Sequence, residues 1–570
     1  VERRRRLVTR AAPLAVIALI AFIVGAETGA PGSPQKEAAQ RFTEAWAQKD
    51  FAAMYEELND ASRSTVGERE FASAYREAAE VATLRTLTAD SPDSPTTRDG
   101  VTVVPVPIEA GTVAFGQLTA NVDVPYAEGG VAWDPSLAFP GLEPGEHLEN
   151  RIDLAPRAPI LARDGTALAE GPAAEREHPL GSAAIDVAGE IGEAEEGDLP
   201  ALARQGFPAG TPVGVSGLEQ AFNQRLAGKP GGSLLAVADE GGSARILAQD
   251  EPQPGAPVKT TIDPALQEAA VTGLAGRAGG VAVLDAKTGD VRALAGQAFS
   301  APQPPGSTFK TITTTAALEK GVVSLDDEFE ITDGVNVGGR FISNANGEYC
   351  GGTFRQAFAE SCNADFAPLG PKIGNDDLVA TAERFGFNHP PTLYAPEIVA
   401  AVEPPESTIP TEIGDELDLG VSAIGQGEVL ATPLQMATVA QTIGNDGVRE
   451  PTSIVANSKL RPEAKSERVM SPKVAGELTE LMIGVVTEGT GTAAAIPEAQ
   501  VAGKTGTAEL GPKPGTEGEE EPAQIKDAWF AAFAPAEKAK LAVGVLLVEA
   551  EAAGGEVAAP IAAEVLSTGL

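Results

Sequence analysis

Apolar residues recur at spacings of three and four between residues 36 and 80: Ala38, Phe42 and Trp46, then Phe51, Met54, Tyr55 and Leu58, and after a polar break Phe71, Tyr75 and Ala79. That period predicts helices carrying apolar stripes. From residue 101 to 124 alternation takes over, in Val104, Val106 and Ile108, then Val113 and Phe115, and finally Val122 and Val124, which predicts antiparallel strands. Pro105 and Pro107 lack an amide hydrogen, so the first strand is expected at an edge or bent. Helices followed by strands indicate a small α+β domain. Farther on, Asp263 and Pro264 mark a helix start. The runs 281–284 and 291–294 read as short apolar strands, joined by a turn through Asp285, Lys287, Thr288, Gly289 and Asp290. Pro304, Pro305 and Gly306 close any preceding element, and residues 308–320 then read as a helix offering Phe309, Ile312, Ala316 and Leu318 to a core. A helical segment is expected at 353–360 and two strands at 501–507 and 528–534, with a Pro-, Gly- and Glu-rich mobile loop at 511–522 between them.

The N-terminus departs from this pattern. Residues 11–26 carry no charge and follow Arg3, Arg4, Arg5, Arg6 and Arg10. With Leu7, Val8 and Thr9 included and the arginines snorkelling, the run is long enough for a spanning helix. The basic flank puts the N-terminus in the cytoplasm and everything after residue 27 outside. A cleaved signal peptide is the competing reading, because Thr28, Gly29 and Ala30 suit a peptidase. Both readings export the body of the chain.

Length and charge narrow the function. At 570 residues the chain has room for roughly three or four domains. Its 42 Lys and Arg against 81 Asp and Glu give a net charge of −39, which excludes nucleic acid as a partner. The acidic stretch 190–198 reads as a solvated loop. Three scattered histidines and two cysteines give no expectation of a metal site, and no cofactor is expected. In an exported protein, Cys350 and Cys362 are either a disulfide or two buried thiols, and both readings stay open.

Three short residue sets supply candidate chemistry: Ser307, Thr308, Phe309, Lys310; then Ser361, Cys362, Asn363; then Lys504, Thr505, Gly506, Thr507. A serine at a helix start has free amides nearby, and a lysine one turn on can take its proton if burial keeps it neutral. The middle set offers a hydroxyl for proton relay and an amide for holding a carbonyl. The last offers an ammonium on a strand edge for a carboxylate, with Gly506 allowing close approach. Each pattern is weak alone. Ser33 to Lys36 repeats the first, in what reads as a Pro-Gly linker, and Lys287, Thr288, Gly289 repeats the last within a hairpin turn.

In this order and context, the three sets resemble the penicillin-binding transpeptidases, and within them the monofunctional class B proteins. Further matches are Ala423, Ile424, Gly425, Gln426, Gly427; Gly489, Thr490, Gly491, Thr492; and Asp527, Ala528, Trp529, Phe530. The N-terminal pattern resembles the nuclear-transport-factor-2-like (NTF2-like) domain of some members, with residues 133–142 similar to its exit strand. Arg157 with Arg163, Asp164 and Gly165, and Ser216, Gly217, Leu218 and Glu219, are similar to the linker or dimerisation module. The resemblance implies a multidomain α+β chain: membrane anchor 1–27, NTF2-like domain 34–147, linker/dimerisation module 148–255, and transpeptidase domain 256–570. That last domain is serine β-lactamase-like, with an antiparallel sheet flanked by helices. It implies catalysis by Ser307, Lys310, Ser361, Asn363 and Lys504, with Thr505, Gly506 and Thr507 binding substrate. The implied partners are peptidoglycan stem peptides, β-lactams as inhibitors, the bacterial cell membrane through the anchor, and a lipid II polymerase with its cell-wall synthesis complex. A D,D-carboxypeptidase and a non-catalytic β-lactam-binding scaffold or sensor are the alternatives.

Overall fold

A computed structural model describes residues 33–98, 100–239, 244–395, 404–512 and 524–570. The expected anchor at 1–27 lies outside these residues, as does most of the expected loop at 511–522. No helix among the described residues is long and apolar enough to cross a membrane. The described residues divide into two compact units, one drawn from 1–155, 195–211 and 228–254 and the other from 156–194, 212–227 and 255–570. The segment 148–255 is thus distributed over both.

The first unit opens with α1 (Pro34–Ala47), α2 (Phe51–Glu56), α3 (Asp60–Thr65) and α4 (Glu68–Val81). Ser33 begins α1 rather than lying in a linker: its side chain accepts the Lys36 amide at 3.3 Å. The first Ser-x-x-Lys is therefore a helix cap. The helices cover a sheet of β1 (Leu84–Ala89), β2 (Thr96–Arg98), β3 (Val101–Thr112), β4 (Gln117–Ala127) and β5 (Gly130–Val131). Phe42, Met54, Phe71 and Tyr75 pack there against Val104, Val106, Ile108, Val122 and Val124. The alternation resolves into a single hairpin, β3 to β4, with Val113 and Phe115 in its turn.

β3 is flanked on both sides, by β4 on one and by β1 and β2 on the other. Its prolines fall where β1 has ended and β2 has not begun, so no partner strand asks for their missing amides. Their carbonyls on that side accept from Asp90 and Asp93. Residues 135–138 form a 3-10 turn capped by Asp134, not the strand expected there. The strand comes later, as β6 (Glu146–Asp153), which pairs with β7 (Gly231–Ala238); β7 also pairs with β8 (Ala244–Asp250).

The second unit is built on five antiparallel strands, β9 (Gly279–Asp285), β10 (Val291–Gly296), β11 (Ala502–Pro512), β12 (Gln524–Ala534) and β13 (Leu541–Leu547), in the order β10-β9-β13-β12-β11. Alternate residues face opposite sides. Ala528, Phe530 and Ala532 of β12 pack with α5 (Pro264–Leu274) and the C-terminal helix Ala559–Gly569. Trp529, Ala531 and Phe533 pack on the other face with α6 (Lys310–Lys320), α7 (Phe354–Glu360), α9 (Pro433–Gly444) and α10 (Pro472–Thr487), where α8 (Asn363–Phe366) also contributes Phe366. The Lys287-Thr288-Gly289 repeat lies in the β9-β10 turn, with Asp285 Oδ1 accepting from the Lys287 and Thr288 amides at 3.0 and 3.1 Å. Elsewhere in this unit Glu219 is fully buried between Arg157 and Arg176, each of which gives it a hydrogen bond at 2.7–2.8 Å.

Candidate active site

Ser307 sits in a 3-10 turn, Gly306–Phe309, that runs directly into α6. The helix expected from residue 308 therefore starts with a tighter turn. Gly306 has φ of 52°, its amide donates to Gly425 O at 2.9 Å, and a Cβ there would lie 2.6 Å from Thr507 O. The turn is thus wedged between the Gly425 loop and the free edge of β11. The Ser307 hydroxyl caps no helix and makes no hydrogen bond to the described residues.

Lys310 is one turn on and completely buried. Its Nζ donates to Ser361 O at 2.7 Å and to Asn363 Oδ1 at 2.8 Å, with Ser361 Oγ at 3.4 Å. Burial, followed by repulsion from Lys504, pushes its amine well below the ordinary lysine value, while Asp365 acts in the opposite sense. A neutral amine has two N–H groups and one lone pair. Here the two carbonyl oxygens take both N–H groups, which leaves the lone pair for an incoming proton.

Ser361 ends α7, which starts with a capping box between Thr353 and Gln356. Its φ of 65° is left-handed, a conformation that serine adopts at a cost. The bend turns its carbonyl and hydroxyl toward the two amines. Asn363 opens α8, and its Nδ2 donates to Ser343 O at 3.0 Å, which fixes Oδ1 toward Lys310.

Lys504 is also completely buried, donating to Ser361 Oγ at 2.8 Å and to Thr505 O at 3.2 Å. Burial pushes it down to about 7. The Phe366 and Phe358 rings lie 5.1 and 5.5 Å from the Lys310 and Lys504 nitrogens, so each amine has an aromatic face at hand. Thr505 Oγ1 is 2.6 Å from Thr490 Oγ1. At Gly506 a Cβ would meet Pro305 O at 2.7 Å and Thr308 Cγ2 at 2.9 Å, so only glycine lets the strand lie this close to the Ser307 turn.

A disulfide joins Cys350 to Cys362, with Cα atoms 5.9 Å apart. It ties the residue between Ser361 and Asn363 to the strand Cys350–Thr353. These cysteines and Glu360 are the one group among the described residues close enough to share a metal, but two of its members are already bonded to each other.

The sequence-predicted residues Ser361, Asn363, Lys310 and Lys504 form one connected cluster, and the Ser307 turn adjoins it through Gly306 and Thr507. Sequence reasoning missed Asp365, Phe358 and Phe366, and gave Thr490 no role. A hint was present in the aromatic residues three before Ser361 and three after Asn363.

Comparison with known proteins adds three family matches: residues 279–567 to the penicillin-binding protein transpeptidase domain, 171–260 to the penicillin-binding protein dimerisation domain, and 34–146 to the NTF2-like N-terminal transpeptidase domain. The chain is 36% identical over 301 residues to the peptidoglycan D,D-transpeptidase PbpA of Mycolicibacterium smegmatis, covering 49% of this chain and 57% of that protein. It therefore spans little more than half the length of that curated relative. Among solved structures it resembles the D,D-transpeptidase domain of a peptidoglycan glycosyltransferase from Eggerthella lenta, with TM-score 0.57 and 30% identity over 73% of this chain and 98% of that one. It also resembles penicillin-binding protein A from M. tuberculosis as its ceftriaxone acyl-enzyme, with TM-score 0.57 and 27% identity over the same shares.

Proposed function

The chain belongs to the penicillin-binding protein transpeptidase family, whose domain matches just over half of it, and on that premise we propose that it is a serine-type peptidoglycan D,D-transpeptidase with Ser307 as nucleophile. The observation that carries this reading is the placement of Ser361 Oγ, 2.8 Å from Lys504 Nζ and 3.4 Å from Lys310 Nζ, between two buried amines.

Ser307 Oγ attacks the carbonyl joining the two terminal D-alanines of a stem peptide, and the Lys310 lone pair takes its proton. The oxyanion is held by the amides of Ser307 and Thr507. Support for Thr507 comes from its carbonyl, which faces Gly306; in an extended strand a residue's amide and carbonyl share one edge. Collapse breaks the C–N bond, and the proton passes through Ser361 Oγ to the departing D-alanine amine. Lys504 and Thr505 hold the substrate carboxylate, and Asn363 orients Lys310. An amine of a second stem then attacks the Ser307 ester, which makes the cross-link and frees the serine. A β-lactam acylates Ser307 in the same way, a reading supported by the ceftriaxone acyl-enzyme of the M. tuberculosis relative.

In this reading residues 1–27 anchor the chain in the bacterial cell membrane, supported by the uncharged run after the arginines. The catalytic part lies outside the cytoplasm, beside a lipid II polymerase. Segments 34–147, 148–255 and 256–570 serve as NTF2-like spacer, linker module and transpeptidase.

A fluorescent penicillin should label the protein covalently, and Ser307→Ala should abolish the label; labelling that survives the substitution overturns the assignment. With a stem-peptide donor and an amine acceptor, cross-linked product supports the transpeptidase, whereas release of D-alanine alone makes it a carboxypeptidase.

A further inference from the structure

Among the described residues, Asp365 is the acidic group whose charge bears on Lys310. It lies on α8 between Asn363, whose Oδ1 accepts from Lys310, and Phe366, whose ring lies beside Lys310 Nζ. The residue is 5% exposed, and its Oδ2 is buried with no hydrogen-bond partner. Burying a carboxylate oxygen in that way is costly unless an opposite charge compensates. The charges that bear on Lys310 are Lys504 from β11, which repels its proton, and Asp365 from α8, which retains it. Glu360, at the end of α7, acts on Asp365 in turn.

We propose that Asp365 is a positioning residue for the acylation step: its carboxylate offsets the repulsion from Lys504 and keeps Lys310 an effective base for the Ser307 proton. This rests on the transpeptidase reading above. The chemical need is specific. A second amine packed on the same hydroxyl depresses Lys310, and a base whose affinity for protons falls far below the working pH accepts one poorly. Lys504, by contrast, is lowered by burial alone. The carboxylate therefore acts on one lysine of the pair and leaves the other to bind substrate. Burial raises Asp365 to about 6, so it carries its charge at neutral pH.

The test is the pH profile of the second-order rate of acylation by a fluorescent penicillin, measured on the full protein and on Asp365→Asn. Removing the negative charge lowers the proton affinity of Lys310. The acid limb, set by the need for a neutral amine, should then move down by about one pH unit. The plateau should fall roughly threefold because the base is weaker. Asp365→Ser, which removes the charge with a different shape, should shift the limb in the same direction. A profile that keeps its limb and changes only in height would mean a purely structural role and overturn the inference. So would loss of the thermal melting transition in both variants. If the unaltered protein takes no label at any pH, the transpeptidase reading fails, and this inference with it; a labelled protein with an unmoved limb in the variants overturns the inference alone.

Discussion

Lys504 shows how one residue's setting decides its chemistry. On an exposed edge strand it would be an ordinary ammonium, but with no exposed surface its amine is down to about 7. Near neutral pH the free site is thus divided between charged and uncharged forms, and a carboxylate ligand selects the charged one. In a Ser307→Ala background, where acylation is blocked, a short peptide acid ending in D-alanine should bind more weakly as pH rises through 7 toward 9. Titration calorimetry reads this directly, and an affinity flat over that range would remove Lys504 as the carboxylate clamp. The sign for stability follows from the same shift. The folded value lies below the unfolded one, so the unfolded chain holds the extra proton between about 7 and 10.5, and this group's contribution to stability rises with pH across that window. Motif order was enough to single out Ser307, Lys310, Ser361, Asn363 and Lys504. It was silent on Asp365 and Phe366 because they bear on Lys310, by a charge and by a ring face, from more than fifty residues away in the chain.

At the scale of elements, the site is an edge strand pressed on a helix-leading turn. The distance between β11 and the Ser307 turn is set by Gly506. Gly506→Ala would put a Cβ 2.7 Å from Pro305 O and 2.9 Å from both Thr308 Cγ2 and Trp529 Cβ. The strand must then move away from the Ser307 turn. Stability should fall by about 1–3 kcal/mol, and penicillin acylation should fall at least about tenfold, as misplaced reacting groups do. The contrast is Gly476 in α10, exposed and with nothing within 4 Å of its added Cβ. Gly476→Ala should stabilise by about 0.5–1 kcal/mol without changing acylation. Thermal melts and labelling rates of the two variants test both statements, and equal effects would sink the packing argument. Periodicity located most of these elements, since it registers which face is buried. It misjudged β3, whose prolines sit opposite a gap between two partner strands, a fact of pairing that one strand's sequence does not contain.

For the whole molecule, the two compact units have separate apolar cores. Calorimetry should accordingly resolve two unfolding transitions. Acylation by penicillin should raise only one of them, because a ligand stabilises the unit that binds it. A single transition that moves as a whole would show the units to be one cooperative body. The charge of −39 is a property of the entire chain and excluded nucleic acid without reference to any fold. Domain content was readable from local patterns. The sharing of residues 148–255 between both units was not, because β6 and β7 pair across some eighty residues of intervening chain.

The sequence by itself determined the order of the motifs, the helical and alternating periods, and the strongly acidic balance of the chain, because residue type and spacing carry that information. The order and context of the motifs had already set the copies at Ser33 and Lys287 apart, and the tertiary structure decided the surroundings of each copy. Ser33 became a helix cap and Lys287 part of a hairpin turn, while Lys310 and Lys504 were stripped of water and brought onto one serine hydroxyl. Proton affinity depends on what surrounds a group, and those surroundings are assembled from segments that only folding brings together.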